Sequence, residues 1–276
     1  MSVILAYLIA FLLYGLIGWH FWRTKWNNPV QSTDDGTVTV GRENYVILIP
    51  LILHGYILYQ SIFSGAGLSF GIGNAVSSIV WLTALIYWLS GFFFYRLEVM
   101  QTLVAPVAAV AVLLPLVFPS PQPLTYIDLP AFKAHILVAM LAYSLLTIAA
   151  LHALLMAVVE RRLHHPTMPS VLTNLPPLLV MEKLLFRIIW AGFILLTLTL
   201  ISGVVFSEEV FGQPVKFTHK TVFGFISWGV FAALLTGRQL YGWRGRIAIR
   251  WTLIGFVSLL LAYIGSKFVL EVILQR

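Results

Sequence analysis

Four histidines lie inside or at the ends of long apolar stretches of the sequence. His54 and His152 lie within such stretches, and His135 and His219 stand near the start of two others. An ionisable side chain inside hydrocarbon is costly and persists only with a partner or a function. Because imidazole is also a common metal ligand, these four side chains are the first candidates for chemistry.

The elements that position these histidines are predicted to be membrane-spanning helices. Hydrophobic residues make up 60% of the 276 residues and charged residues only 10%, whereas soluble domains have roughly 25% charged residues. A span needs about 20 apolar residues. We therefore expect an all-α polytopic membrane protein with about eight transmembrane helices, as a single transmembrane domain over residues 1–276. The predicted spans cover residues 3–22, 45–63, 73–94, 99–118, 132–159, 183–206, 219–237 and 247–273.

The distribution of basic residues predicts the orientation of the spans. With eight spans both termini share one side of the membrane, and loops one, three, five and seven share the other. Those loops hold 12 of the 17 Lys and Arg residues. Since basic loops stay in the cytoplasm, we expect both termini outside. The first apolar stretch lacks a basic flank and a cleavage site, so it is predicted to be a span and not a removed signal.

Residue counting groups the four histidines by depth. At 1.5 Å per residue, His54 lies ~13 Å and His152 ~12 Å from the cytoplasmic ends of their spans. His135 precedes His152 on the same predicted helix and lies ~25 Å nearer the outside, where His219 opens another span. Histidines matched in depth can clamp a flat metallo-ligand such as heme from both sides. We expect an inner pair, His54/His152, and an outer pair, His135/His219.

Structural roles compete with this interpretation. A buried histidine often joins two helices by a hydrogen bond, and His135 and His219 lie near an interface where imidazole costs little. His135 and His152 project ~100° apart around their helix, which disfavours one straight relay between the two depths. Of the remaining histidines, His20 is predicted to be an interfacial anchor. His164 and His165 are predicted to be solvated side chains of a loop.

Composition and missing motifs exclude several classes of protein. The sequence contains no cysteine, which excludes disulfides, thiolate ligands and thioether attachment of a cofactor to this chain. The net charge of +7 lies in short loops and is no nucleic-acid signature. No acidic residue stands in the middle of a span, which disfavours an ion-driven carrier. Glu182 precedes Lys183 and Arg187 at the start of span six, which predicts an interfacial ion pair there.

The second half of the sequence resembles a known family. It contains Ile201-Ser202-Gly203, Trp228 and, most specifically, Tyr241-Gly242-Trp243-Arg244-Gly245-Arg246; His135 is followed by Met140-Leu141-Ala142-Tyr143-Ser144. These residues resemble the C-terminal core and the outer histidine of the heme-handling cytochrome c assembly family, of the CcsA, ResC and CcmC type. The resemblance is good from about Ala131 onward and loose before it.

The resemblance implies a function and a cofactor. It implies a multi-pass protein of the bacterial inner membrane that takes part in heme handling or transport for cytochrome c assembly, alongside other assembly proteins. Non-covalent heme b would be held between helices by His54/His152 and His135/His219, with the number of hemes left open. Lys220 and Thr218 would meet heme propionates, and the helix N-terminus beside them favours anionic groups.

The sequence departs from the synthetase members of that family at one loop. Those members have a tryptophan-rich outer loop with a Trp-Asp-Pro-Lys-Glu core before span seven. Here the stretch contains Phe206, Phe211, Val215, Phe217, Thr218, His219, Lys220 and Thr221. The family's second outer histidine is also missing from the final span, and His219 is its candidate replacement. The chain is therefore similar to the YpjD- and HemX-like branch, and we assign no catalytic residues.

Two other classes of function remain open at this point. A carrier for heme or another hydrophobic solute predicts a pathway between the two histidine pairs and exchange of bound ligand. A structural or regulatory membrane subunit predicts histidines that only join helices and a colourless purified protein. A transmembrane electron-transfer cytochrome is a weaker third interpretation.

Overall fold

The computed structural model of the chain describes residues 2–27, 43–63, 69–90, 98–119, 130–162, 177–211 and 219–265. Within these ranges the chain is almost entirely helical and contains no β-strand. The helices are α1 (Ser2–Asn27), α2 (Glu43–Val46), α3 (Leu48–Phe63), α4 (Ile72–Ser90), α5 (Glu98–Val117), α6 (Pro130–Arg162), α7 (Leu178–Phe211), α8 (His219–Tyr241) and α9 (Arg246–Leu260), and a π-helical turn at Leu261–Gly265 continues α9.

These helices confirm the prediction of an all-α polytopic membrane protein. Six of them (α1, α4, α6, α7, α8 and α9) are long and apolar enough to cross a membrane by length and composition, and α3 and the Leu103–Val117 part of α5 are shorter apolar helices. The second predicted span consists of α2 and α3, with only Ile47 between them. The side of the membrane on which the termini lie stays a prediction.

Contacts divide the chain into two compact units. The first consists of Met1–Ser120 and Arg161–Pro177, and the second of Pro121–Glu160 and Leu178–Arg276. The first unit therefore contains α1 to α5, and the second contains α7, α8, α9 and nearly all of α6. The single transmembrane domain over residues 1–276 stays a prediction.

In the first unit, α5 packs against α1 and α4, and α3 packs against the same two helices. Small side chains let these helices approach closely, as is common in transmembrane bundles. One close approach is at Gly73, where a Cβ atom would lie 2.6 Å from the backbone oxygens of Leu114 and Phe118. The buried core clusters of this unit are Tyr14, Val80, Ala108, Ala109 and Ala111, and Tyr7, Ala10, Ile57 and Val112.

In the second unit, α6 and α7 lie antiparallel. His135 near the start of α6 contacts Ser202 in the last part of α7. His152 near the end of α6 contacts Met181 in the first turn of α7. Between these contacts, a Cβ atom at Gly192 would lie 2.8 Å from the side chain of Leu146. The two helices are therefore in contact through side chains at three levels of α6, at His135, Leu146 and His152.

Helices α7 and α8 are also antiparallel. Trp228 of α8 donates its indole N–H to Thr197 Oγ1 of α7 at 3.0 Å. A Cβ atom at Gly224 would lie 3.4 Å from Leu200 Cδ2. Thr197 of α7 contacts Trp228 of α8, and Leu200, one turn later in α7, contacts Gly224, one turn earlier in α8. These two contacts give the register of the two helices. Helix α9 packs against α8 in turn.

We expect substitution of Gly73 by Ala to destabilise the first unit by about 1–3 kcal/mol, because the added methyl overlaps backbone that cannot move away as a side chain can. Gly15 is the matched control within α1, since a Cβ atom there meets no atom within 4 Å. Reversible unfolding in mixed detergent micelles measures both variants. Equal stability of Gly73→Ala and Gly15→Ala would contradict the close α4–α5 approach.

Candidate functional site

His54 lies in the interior of the first unit, where three helices meet. Its side chain is fully buried, with 0% exposure. The imidazole Nε2 lies 2.9 Å from Ser77 Oγ of α4. The ring of Tyr14 from α1 meets the imidazole edge-on, with 5.7 Å between ring centroids. The apolar helix α3 therefore presents its histidine to two neighbouring helices and not to lipid.

Among the residues that the structure describes, none is a hydrogen-bond partner of the second ring nitrogen of His54. Nδ1 is buried and unpaired, and three further buried oxygen atoms of the first unit are in the same condition: Tyr14 Oη, Thr83 Oγ1 and Tyr87 Oη. Buried polar atoms in proteins are nearly always paired, so such atoms call for an explanation. When Nε2–H donates to Ser77, Nδ1 has an unused lone pair, which is the group that a metal ion needs.

His152 lies in the second unit and is 2% exposed. Its Nε2 lies 3.0 Å from the backbone carbonyl oxygen of Met181. Since a carbonyl oxygen only accepts hydrogen bonds, the imidazole proton is on Nε2 and the lone pair is on Nδ1. The first turn of α7 thus sets the tautomer of this histidine.

The residue after Met181 is a buried acid. Glu182 is 6% exposed; its Oε1 accepts a hydrogen bond from the guanidinium of Arg238 at the end of α8, and its Oε2 accepts the backbone N–H of Gly245 at 3.1 Å. Sequence spacing predicts a local pair with Lys183 or Arg187. The structure instead pairs Glu182 with a residue 56 positions further along the chain.

The Tyr241–Arg246 motif forms the turn between α8 and α9. Gly242 and Gly245 have φ angles of 66° and 53°, a conformation that glycine adopts without steric cost. The indole of Trp243 lies directly on Gly237, where any Cβ atom would overlap it. The backbone N–H of Trp243 donates to the backbone carbonyl of Gly237 at 3.2 Å. The motif is therefore a folded cap on the α8–α9 end of the second unit.

His135 is partly buried and contacts α7. Its Nδ1 lies 2.7 Å from Ser202 Oγ, and the same hydroxyl lies 2.7 Å from the Leu198 carbonyl and 3.1 Å from the Thr199 carbonyl. When Ser202 donates to one of these carbonyls, its Oγ accepts from Nδ1–H of His135, and the lone pair of His135 is then on Nε2. Gly203 follows Ser202 in α7, and a Cβ atom there would lie 3.5 Å from Cε1 of the His135 imidazole.

His219 and Lys220 begin α8, and both are exposed. The Lys220 ammonium lies 5.9 Å from the ring centroid of Tyr263 in the π-helical turn. Thr218, the other residue predicted to meet propionates, lies outside the described residues, as do His164 and His165. His20, predicted to be an interfacial anchor, is exposed near the end of α1.

Helix register shows that His135 and His219 lie at nearly the same level of the second unit. Gly224 is level with Leu200, and His219 is five residues, or ~7.5 Å, further toward the end where α7 ends and α8 begins. His135 is level with Ser202, which is ~3 Å beyond Leu200 in the same direction. The difference in level is ~4–5 Å, less than one helical turn.

The two inner histidines, unlike the two outer ones, belong to different units. His54 belongs to the first unit and His152 to the second, so their pairing stays a prediction. Within the described ranges, no group of three or more His, Asp or Glu residues is arranged to hold a metal ion. The partners Ser77, Ser202 and the Met181 carbonyl were not predicted from the sequence, because residue counting gives depth along a helix and not the direction in which a side chain points.

The helical fold, its apolar surfaces and the relatives of the chain define a multi-pass inner-membrane protein. A model of the family described as Cytochrome C assembly protein matches residues 43–274, so the chain belongs to the cytochrome c assembly family.

Curated relatives include YpjD and CcsA proteins. The chain is 35% identical over 144 residues to "Inner membrane protein YpjD" of Escherichia coli (strain K12), which is 52% of this chain and 54% of the relative. It is 34% identical over 91 residues to "Cytochrome c biogenesis protein CcsA" of Gloeobacter violaceus, 33% of this chain and 27% of the relative. It is 40% identical over 88 residues to "Cytochrome c biogenesis protein CcsA" of Prochlorococcus marinus (strain MIT 9215), which is 32% of this chain and 28% of the relative. The chain thus spans about half the length of YpjD and less of CcsA.

The unpaired hydroxyl of Tyr14 beside His54 makes a testable prediction. We expect Tyr14→Phe to stabilise the protein by about 1–3 kcal/mol, because it removes a buried group without a partner. Tyr143 is the matched control: its hydroxyl donates to the Leu259 carbonyl at 3.0 Å, so Tyr143→Phe should cost about 0.5–1.5 kcal/mol. Detergent-micelle unfolding of both variants measures the difference, and a loss of stability in Tyr14→Phe would contradict the unpaired state of this hydroxyl.

Proposed function

We propose that this protein takes part in heme handling for cytochrome c assembly and binds heme b non-covalently through imidazole ligands. The single observation that supports this most strongly is the matched level of His135 and His219 in the second unit of a protein of the cytochrome c assembly family. Because these two histidines come from α6 and α8, one iron could be held between two helices.

The described histidines that lie inside the two units each use one ring nitrogen in a contact with a neighbouring helix. When Ser202 donates to a backbone carbonyl, the proton of His135 is on Nδ1 and its lone pair is on Nε2. His54 has an unpaired buried Nδ1, and the lone pair of His152 is on Nδ1. Two axial imidazoles make a heme iron low-spin and six-coordinate, which suits binding and transfer better than oxygen chemistry. With no cysteine in the chain, the attachment stays non-covalent.

Groups that would meet heme propionates lie beside His219. Lys220 contributes a positive charge at the first turn of α8. The positive end of the α8 dipole lies at the same turn and also favours carboxylates. The proposal therefore assigns His135 and His219 to the iron and Lys220 to a propionate, and it keeps His54 and His152 as ligands at the inner depth.

One observation favours a second candidate function. His54, His135 and His152 each make a hydrogen bond to a neighbouring helix, as they would in a structural or regulatory membrane subunit without heme. The two functions differ in one measurable property, the presence of a bound chromophore whose ligands are these side chains.

Absorption spectra of the protein purified in detergent, after expression with heme supplied, test the proposal. We expect a Soret band and the split visible bands of a low-spin heme b, and we expect His135→Ala and His219→Ala each to remove or shift part of them. Equivalent losses are expected for His54→Ala and His152→Ala. His20→Ala is the control and should leave the spectrum unchanged.

A purified protein without a Soret band, or a band that survives each of the four substitutions unchanged, would favour the structural subunit. Pyridine hemochrome spectra identify the bound heme as type b. A heme type other than b would contradict that part of the proposal alone.

A further inference from the structure

We propose that Glu182 is a positioning residue for His152: through the first turn of α7, it connects the Tyr241–Arg246 turn to the imidazole of that histidine. The consequence for heme binding rests on the proposed function, whereas the effect on His152 itself does not. All residues of this connection lie in the second unit.

The first step of the connection is the contact between His152 and α7. The imidazole Nε2–H donates to the Met181 carbonyl at 3.0 Å. Met181 is the fourth residue of α7, so this carbonyl belongs to the first helical turn, and helix ends fray more readily than helix centres. A fixed tautomer of His152 therefore requires that something else hold this turn in place.

Glu182 holds the turn from its other side. One carboxylate oxygen binds the guanidinium of Arg238 at the last turn of α8, and the other binds the Gly245 N–H at the start of α9. The guanidinium of Arg238 also lies 4.6 Å from the ring centroid of Phe186, one turn further along α7. The buried Glu182 side chain thus attaches the start of α7 to α8 and to the start of α9.

The glycine-rich turn supplies the geometry for this attachment. Arg238 donates a second hydrogen bond to the Trp243 carbonyl at 3.1 Å, so the guanidinium lies between Glu182 and the turn. The positive φ of Gly245 belongs to the residue whose N–H reaches the carboxylate. Charge-assisted hydrogen bonds of this kind are short and strong. The most specific motif of the sequence therefore folds onto the acid that follows Met181.

A second Glu–Arg pair of the same unit offers a matched control. Glu160 accepts a hydrogen bond from Arg246 Nε at 2.9 Å, but the Arg246 side chain is 65% exposed and the Glu160 side chain is 26% exposed. This pair joins α6 to the start of α9. Glu160→Gln removes a similar charge from a different helix contact.

Nitrogen-15 solid-state NMR of histidine in lipid-reconstituted, heme-free protein tests the positioning directly. The two ring nitrogens of each neutral tautomer have distinct shifts, and a His152→Gln sample identifies the resonances of this residue. In the wild type we expect His152 as a single tautomer protonated at Nε2. In Glu182→Gln we expect a mixture of both tautomers, and in Glu160→Gln the wild-type pattern. A wild-type pattern in Glu182→Gln would overturn the inference.

Arg238→Gln keeps the inference falsifiable if Glu182→Gln does not fold. One guanidinium nitrogen, Nη1, binds both Glu182 and the Trp243 carbonyl, so a lysine ammonium with three donors could keep both contacts and Arg238→Lys should keep the wild-type tautomer. Arg238→Gln, which is neutral and shorter, loses both contacts, and we expect a mixture of both tautomers there. A single Nε2-protonated tautomer in Arg238→Gln would contradict the connection as firmly as the same result in Glu182→Gln.

Heme retention tests the consequence for the proposed function. Loss of a group that orients a metal ligand typically lowers metal affinity about 10–100-fold, so we expect heme transfer to apomyoglobin to be faster by that factor in Glu182→Gln and unchanged in Glu160→Gln. Equal transfer rates in both variants would overturn the role in heme binding. If the wild type holds no heme, the proposed function fails, and the NMR result still decides whether Glu182 positions His152.

Discussion

Hydrocarbon offers no hydrogen bonds, so each polar side chain within a span must find its partner inside the protein. Many described side chains of both units follow this constraint, and the buried hydroxyls of Tyr14, Thr83 and Tyr87 are exceptions to it. Trp81 donates its indole N–H to the Leu51 carbonyl at 2.8 Å in the first unit, and Trp228 donates to Thr197 in the second. The histidines that lie within helices obey the same rule, each bonded to a neighbouring helix: His54, His135 and His152.

The hydrogen bonds of these histidines are compatible with either joining helices or binding metal. An imidazole that uses one nitrogen to donate to the protein keeps a lone pair on the other, and metal-ligating histidines are commonly held in this way. In His152 the donating nitrogen is Nε2, because its partner is a carbonyl oxygen. In His135 it is Nδ1 when Ser202 donates to a backbone carbonyl. A backbone carbonyl thus selects which nitrogen His152 would present to an iron.

Much of the fold follows from the sequence, since apolar length alone predicts the helices within two to five residues for most spans. The similar level of His135 and His219 also follows from residue counting, because the rise per residue is constant in a helix. Rotation about the helix axis is not encoded so simply. For that reason Ser77 and Ser202 could not be predicted as the partners of His54 and His135.

The Glu182–Arg238 pair could not be predicted from the sequence for a different reason. Its residues are 56 positions apart, and Lys183 and Arg187 offer nearer basic partners in the sequence. What selects Arg238 is the antiparallel packing of α7 and α8 together with the turn at Gly242 and Gly245. The glycines of that motif were a usable signal, because two glycines around a Trp-Arg pair indicate a turn with positive φ angles.

The claim that His135 and His219 bind one iron is tested most directly by ligand rescue in a His54→Ala/His152→Ala background, which isolates the outer pair. Electron paramagnetic resonance of the ferric protein distinguishes low-spin from high-spin iron. The account predicts a low-spin signal that becomes high-spin in His219→Gly and returns to low-spin when imidazole is added. A low-spin signal that His219→Gly leaves unchanged, or a high-spin signal that imidazole does not restore, would contradict it.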